Sequence, residues 1–178
     1  WIGWALRCIL GPTGQPEAIV GMGRDITDRK EAETTIEKLA YHDPVTGLPN
    51  RTLLHDRLQL AINRAERDSQ GVAILFLDLD RFKAINDSLG HAVGDALLRQ
   101  VGNRLVDCVR SSDTVARLGG DEFVVLISAL ENDHAVGSVI MKILEQLAEP
   151  YRIEDHEIYS SSSIGISIYP RDGRDAEE

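Results

Sequence analysis

The sequence has few cysteines, no long apolar run and fewer bases than acids, and each shortage excludes a class of protein. Cys8 and Cys108 have neither the spacing of a zinc site nor the density of a disulfide scaffold, so we expect both to be reduced packing residues. No apolar run approaches the roughly 18 residues of a membrane helix. We therefore expect no signal peptide, no membrane contact within this segment and a cytoplasmic location, with any membrane anchor of the parent protein elsewhere.

The charge balance excludes broad contact with polymeric nucleic acid. Acidic residues outnumber basic ones by 29 to 19, which gives a net charge of −10. Nucleic-acid binding needs a basic face. A nucleotide bound through divalent cations stays compatible with this composition, because the cation inverts the local charge. At 178 residues, the chain is long enough for one full domain and a fragment.

The first 28 residues have the pattern of two strands. The segments "WIGWALRCIL" and "PEAIVGMGRDIT" flank the turn sequence "GPTGQ". Two strands alone are marginally stable, so we interpret them as the end of a larger sheet. A helix follows, with Thr27 as its predicted cap and Ala32, Ile36 and Leu39 on one narrow stripe. The stripe fits either a helix that pairs with a second copy or a solvated single helix.

The remaining sequence predicts helices packed on a sheet. The loop "DPVTGLPNR" precedes an amphipathic helix, and the apolar run "GVAILFLDLD" predicts a strand buried on both faces. A helix from "GDALLRQVGNRLVDCVR", a hairpin, a helix near 134–148 and the strand "SSSSIGISIY" follow. The four serines suggest a linker, but the alternation of Ile164, Ile166 and Ile168 favours a strand. This order predicts an α+β fold with a mainly antiparallel sheet.

The stretch "RLGGDEF" joins two apolar strands through a turn that carries two acids. Gly119 and Gly120 supply backbone freedom at such a turn. A solvated turn whose acids avoid the core is the simpler reading. However, Asp78 ends the buried strand, where a carboxylate is costly unless it is solvated, paired or bound to metal. If that strand lies beside the hairpin, Asp78 approaches Asp121 and Glu122, and Mg²⁺ is the cation that fits best.

Three ordered motifs, "YHDPVTGLPNR", "FLDLDRFKAINDSLGHAVGD" and "RLGGDEF", resemble the GGDEF family of diguanylate cyclases over about residues 41–178. The resemblance implies a palm-like βαββαβ core and the condensation of two GTP molecules to cyclic di-GMP, with release of pyrophosphate. The front segment "GMGRDITDRKEAE" is similar to the end of a PAS sensor domain and its exit helix. The implied domains are a PAS fragment at 1–28, a connecting helix at 29–41 and a GGDEF domain at 42–178.

The resemblance also implies residue roles. Asp78, the carbonyl of Leu79, Asp121 and Glu122 would hold two Mg²⁺ (or Mn²⁺) ions, and Asp121 would act as base on the attacking hydroxyl. Asn86 and Asp95 would recognise the guanine base by hydrogen bonds. Without the family resemblance, Asn86 suggests a loop residue, and Asp95 suggests an acid in the first turn of a helix, where the helix dipole favours it. His91 would touch substrate or make a structural hydrogen bond, and Lys83 would face phosphate or solvent. The residues implied in substrate binding are Asn86, His91, Asp95, Phe82, Lys83, Gly119 and Gly120.

The pair Arg110 and Asp113 has the spacing of the family's inhibitory site for cyclic di-GMP. A guanidinium can hold a phosphate or a guanine edge with two hydrogen bonds. Such a pair is common in proteins, so the inference depends on its fixed offset from Gly119.

The sequence departs from the family pattern at Val45, where leucine is common, and in stopping before a helix with basic residues. We interpret it as a truncated piece of a longer sensor enzyme. Each domain would hold one GTP, so catalysis implies a homodimer. Two rival readings remain: a silent module that binds GTP or cyclic di-GMP and regulates an attached phosphodiesterase domain, and an interaction module for dimerisation.

Overall fold

The computed structural model describes residues 1–12, 14–130 and 134–175. The chain divides into two compact units, Trp1–Ala40 and Tyr41–Glu178. Within the described residues, no helix has the length and apolarity needed to cross a membrane.

The first unit is a hairpin followed by a helix. Strands β1 (Ile2–Leu10) and β2 (Pro16–Asp25) pair antiparallel, and helix α1 covers Thr27–Tyr41. The predicted cap is wrong: Thr27 lies inside the helix, and its N–H and hydroxyl donate to the Asp25 carboxylate at 2.9 and 2.7 Å. Cys8 is exposed, so its prediction as a packing residue is also wrong.

The stripe of α1 is exposed to solvent. Ile36 and Leu39 are 67% and 62% exposed, and none of the described residues of α1 is buried. A helix with this exposure draws little stability from packing within its own chain.

The second unit contains four helices and six strands among the residues described. In chain order they are α2 (Arg51–Asp68), β3 (Gly71–Leu79), α3 (Phe82–Leu89), α4 (His91–Cys108), β4 (Thr114–Gly119), β5 (Glu122–Leu130), α5 (His134–Ala148), β6 (Tyr151–Ile153), β7 (His156–Ile158) and β8 (Ser162–Tyr169).

The central sheet has the order β4-β5-β3-β8, and every neighbouring pair is antiparallel. Alternate residues of β3 face opposite sides, which gives two core clusters. Leu75 and Leu77 pack with α4 and α5, and Val72 packs with Leu54 of α2. The predicted α+β architecture with an antiparallel sheet is confirmed.

Local predictions differ from the structure at several places. Residues 82–89 form α3, so the simple reading of Asn86 as a loop residue is wrong; the spacing of Phe82, Ile85 and Leu89 was a helical signal. Helix α4 begins at His91, before the predicted start, and the β6–β7 hairpin was not predicted. Strand β3 is not buried on both faces throughout, because Phe76 is 51% exposed.

Candidate active site

The antiparallel register of β3 and β5 places Asp78 directly opposite Glu122. Asp121 precedes Glu122 in the turn, so the structure brings together the three carboxylates that the sequence singled out. Gly119 and Gly120 have φ angles of +142° and +55°. A Cβ on either glycine would meet nothing within 4 Å among the described residues, so the protein itself requires glycine here for backbone conformation rather than for space.

The carboxylates repel each other at this end of the sheet. Partial desolvation, together with the charges of Asp121, Glu122 and Asp80, raises the pKa of Asp78 above its ordinary value. A cation would relieve this repulsion.

Asp80 has a different environment from Asp78. The hydroxyls of Ser161 and Ser163 donate to its two carboxylate oxygens, and its own N–H donates to the Ser161 carbonyl at 2.9 Å. The serine hydroxyls lower the pKa of Asp80. Asp80 therefore fastens the turn after β3 to the start of β8.

Arg117 is a residue of the site that the sequence reasoning missed. Its Nη2 and Nε donate to the Gly120 carbonyl at 2.7 and 3.1 Å, and its Nη1 donates to the Asp43 carboxylate at 2.8 Å. The Arg117 N–H also donates to the Pro49 carbonyl at 2.9 Å. These bonds tie the glycine turn to the loop before α2.

Asp43 is held in its ionised form. Burial alone would raise its pKa, but hydrogen bonds from Thr46 and from the Arg117 guanidinium outweigh burial, and the net pKa lies below the ordinary value. Both side chains are nearly buried, with 11% exposure for Asp43 and 8% for Arg117. Removal of either side chain would leave the other charge buried without a counter-charge, which destabilises the folded state.

The carboxylates fit a divalent cation that is shared with a ligand. Among the described residues, no group of three or more His, Cys, Asp or Glu side chains is arranged so that it could hold a metal ion by itself. Mg²⁺ commonly takes one or two carboxylates and completes its shell with phosphate oxygens and water. Asp78 and Glu122, on paired strands with Asp121 beside them, match that open arrangement.

Five of the seven residues predicted to bind nucleotide lie on α3 and α4, and the other two, Gly119 and Gly120, lie at the turn between β4 and β5. Phe82 is buried at the start of α3, while Lys83 is exposed. The Asn86 side chain lies against Gly94 of α4, next to the half-buried Asp95. His91, the first residue of α4, is exposed. The structure therefore brings Asn86 close to the position of Asp95, and the roles assigned to all five residues stay predictions.

The predicted inhibitory pair lies at the start of β4. The Asp113 carboxylate accepts from the backbone N–H groups of Arg110 and Ser128 at 3.1 and 3.2 Å. Arg110 has an exposed side chain. Asp113 therefore shapes the turn, while the guanidinium of Arg110 faces solvent.

A cleft of about 1110 Å³ opens beside Asp78 and Asp80, and its described lining residues do not include Asp121, Glu122, Asn86 or Asp95. Asp78 and Asp80 lie on one wall, and Ile85 and Leu89 of α3 and Leu147 of α5 supply apolar surface. Its volume is sufficient for a nucleotide-sized ligand.

With this geometry, the second unit matches a known family. Residues 40–178 match the family described as "Diguanylate cyclase, GGDEF domain", and the chain belongs to that family.

Two relatives illustrate the similarity. A bifunctional diguanylate cyclase/cyclic di-GMP phosphodiesterase, MucR of Pseudomonas aeruginosa, is 49% identical over 152 residues, which are 85% of this chain and 22% of MucR. The diguanylate cyclase TpbB of the same species is 40% identical over 142 residues, 79% of this chain and 33% of TpbB. The chain therefore spans between a fifth and a third of these curated relatives.

Solved structures share the fold. The crystal structure of the TpbB GGDEF domain has a TM-score of 0.71 and 40% identity, over 73% of this chain and 81% of that one. The GGDEF domain of DgcB from Caulobacter crescentus, crystallised in complex with c-di-GMP, has a TM-score of 0.67 and 26% identity, over 72% and 77% of the two chains.

Proposed function

We propose that the second unit condenses two GTP molecules to cyclic di-GMP and pyrophosphate. The observation that carries this proposal is the register pair of Asp78 and Glu122, with Asp121 beside them in the glycine turn of a GGDEF-family domain. Carboxylates grouped in this way suit metal-assisted phosphoryl transfer.

In the proposed step, the 3′-hydroxyl of one GTP attacks the α-phosphorus of the other. A P–O bond forms, the α–β phosphoanhydride breaks, and pyrophosphate leaves. The hydroxyl proton passes to the Asp121 carboxylate. Repetition with the roles of the two nucleotides exchanged closes the ring.

The chain's own residues would position the reactants. Two Mg²⁺ ions would be held by Asp78, the Leu79 carbonyl, Asp121 and Glu122. These ions would polarise phosphate and lower the pKa of an attacking hydroxyl. Arg117 fixes the turn that carries Asp121 through its bonds to Gly120 and Asp43.

Recognition of the base would fall to Asn86 and Asp95. A carboxylate can accept from guanine N1–H and N2–H₂, while an amide reads another edge. Lys83 and the backbone around Phe82 would contact phosphate, and His91 would lie beside the nucleotide.

Regulation is proposed at two places. The first unit would be the end of a PAS sensor whose exit helix, α1, transmits a signal to a homodimer. Cyclic di-GMP would inhibit by binding Arg110 and Asp113. The complex of DgcB with c-di-GMP supports product binding by this fold.

A second candidate is a silent module that binds GTP or cyclic di-GMP and regulates a phosphodiesterase. Two relatives named only as cyclic di-GMP phosphodiesterases favour it: PdeR of Escherichia coli, 40% identical over 158 residues, and NbdA of Pseudomonas aeruginosa, 39% identical over 147 residues. Retention of all three site carboxylates favours catalysis.

A product assay combined with calorimetric titration of GTP and cyclic di-GMP separates the candidates. The full-length protein is incubated with GTP and Mg²⁺, and nucleotides are resolved by chromatography. If the wild-type protein forms cyclic di-GMP and the Asp121→Asn variant does not, the protein is a diguanylate cyclase. Nucleotide binding without product establishes the silent module, and absence of both leaves an interaction module.

A further inference from the structure

Gly94 occupies a position in α4 where no other residue fits with the present placement of Asn86. A Cβ on Gly94 would lie 1.8 Å from Oδ1 of Asn86 and 2.9 Å from its Cγ. Among the described helical glycines, Gly137 of α5 shows the opposite case, because a Cβ there would meet nothing within 4 Å.

The backbone around this contact has little freedom to yield. The N–H of Gly90 donates to the Asn86 carbonyl at 2.9 Å, and the N–H of Gly94 donates to the Gly90 carbonyl at 3.2 Å. Gly90 is also the single residue between α3 and α4. Since Asn86 and Gly94 are linked in this way, the side chain of Asn86 is the part that would move.

The Asn86 side chain has an unusual environment. Its Oδ1 is shielded from solvent and has no hydrogen-bond partner among the described residues. A buried unpaired oxygen is costly, and a purely structural asparagine is normally satisfied. Because this oxygen faces Gly94 and is closed to solvent, the Nδ2 group is the part of the amide that stays available to a ligand.

We propose that Gly94 is a positioning residue for base recognition: the missing side chain lets the Asn86 amide lie against α4 beside Asp95. The inference rests on the proposed function, since it takes Asn86 and Asp95 to bind guanine. Alanine at position 94 would turn the amide away while α4 stays folded, because alanine favours helix over glycine.

The test compares Gly94→Ala with Gly137→Ala, a matched change in the first turn of α5. Calorimetry with GTP and with ATP, each with Mg²⁺, gives the base preference. Gly94→Ala should weaken GTP binding about tenfold, the loss expected for one hydrogen bond, and should leave ATP binding at the wild-type level. Gly137→Ala should change neither.

Asn86→Ala completes a double-mutant cycle with Gly94→Ala. In the Asn86→Ala background, Gly94→Ala should have no further effect on GTP binding, because the displaced amide is already absent. If Gly94→Ala lowers the unfolding temperature, Asn86→Ala should restore it. A wild-type preference for GTP in Gly94→Ala, or a lowered unfolding temperature that Asn86→Ala leaves unchanged, would overturn the proposal.

The cycle also separates this inference from the proposed function. If the wild-type chain binds GTP and ATP equally, the assignment of guanine reading fails. The contact between the Asn86 side chain and position 94 is then tested by NMR. The side-chain amide signals of Asn86 should shift in Gly94→Ala and not in Gly137→Ala.

Discussion

Arg117 and Asp43 form a nearly buried ion pair across 74 positions of the chain, with Nη1 2.8 Å from one carboxylate oxygen and 2.9 Å from the other. The same guanidinium holds the Gly120 carbonyl. The Arg117 side chain therefore holds both the loop before α2 and the acidic turn in place.

We expect Asp43→Asn to lower the free energy of unfolding by about 2 kcal/mol or more, because it leaves the Arg117 charge buried without its partner. The folded-state pKa of Asp43 is depressed, so its contribution is complete above the ordinary value of about 3.9 and is lost as pH falls through the lower folded value. Urea unfolding should show a constant gap from wild type at about pH 5–8 that shrinks below about pH 4. Asp56→Asn on the exposed face of α2 is the control, and an equal gap for both variants would contradict the assignment.

Asp78→Asn should abolish GTP condensation in the full-length protein. It removes one charge from the proposed metal site and also removes repulsion, since desolvation and then the charges of the neighbouring carboxylates raise the pKa of Asp78. Without Mg²⁺, thermal stability should stay level or rise. Asp87→Asn, an exposed acid on α3, should retain turnover; wild-type turnover in Asp78→Asn would remove Asp78 from the mechanism.

The prediction for Asp95 concerns base choice. Asp95→Ala should weaken GTP binding by a factor of about 100 or more and affect ATP little, because guanine N–H donors would lose their acceptor. Titration with both nucleotides measures the change, and Asp107→Ala near the end of the same helix is the control. Equal losses for GTP and ATP would mean that Asp95 is structural.

If two domains must face each other, specific activity should rise with protein concentration near the dimer dissociation constant. Leu39→Glu, on the exposed stripe of α1, should move that rise to higher concentration. Thr34→Glu places the same charge away from the stripe, so the protein concentration at which specific activity rises should stay unchanged. Activity strictly proportional to protein across the dissociation range argues against a catalytic dimer.

Arg110→Ala should remove inhibition by cyclic di-GMP and keep initial turnover. The turn should survive, because Asp113 accepts from the backbone N–H of Arg110 rather than from its side chain. Calorimetry should lose the corresponding binding event, and Arg67→Ala on α2 is the control for charge. Unchanged inhibition would mean that product competes at the active site.

The sequence was informative where the pattern is local. The apolar run before Asp78 and the two glycines predicted the strand and the hairpin. The proximity of the three acids followed only if these two elements paired, and the pairing itself is seen in the structure. Helix α3 was not predicted because it has only eight residues, and the single apolar repeat at Phe82, Ile85 and Leu89 is too short to establish a helix by itself. The Arg117–Asp43 pair could not be predicted from such patterns, because the periodicity of apolar residues does not show which residues 74 positions apart come into contact.

Strand β8 pairs with β3 on one side only within the described residues. On its other side the N–H and the carbonyl of Ile168 are hydrogen-bonded to Asp172, but no described strand pairs with residues 162–167 there. An uncovered strand edge of this kind can pair with strands of other molecules. At the opposite border of the sheet, the N–H of Arg117 is already occupied by the Pro49 carbonyl. Concentrated samples of this chain should therefore aggregate first through β8, and light scattering should accompany every measurement of dimerisation.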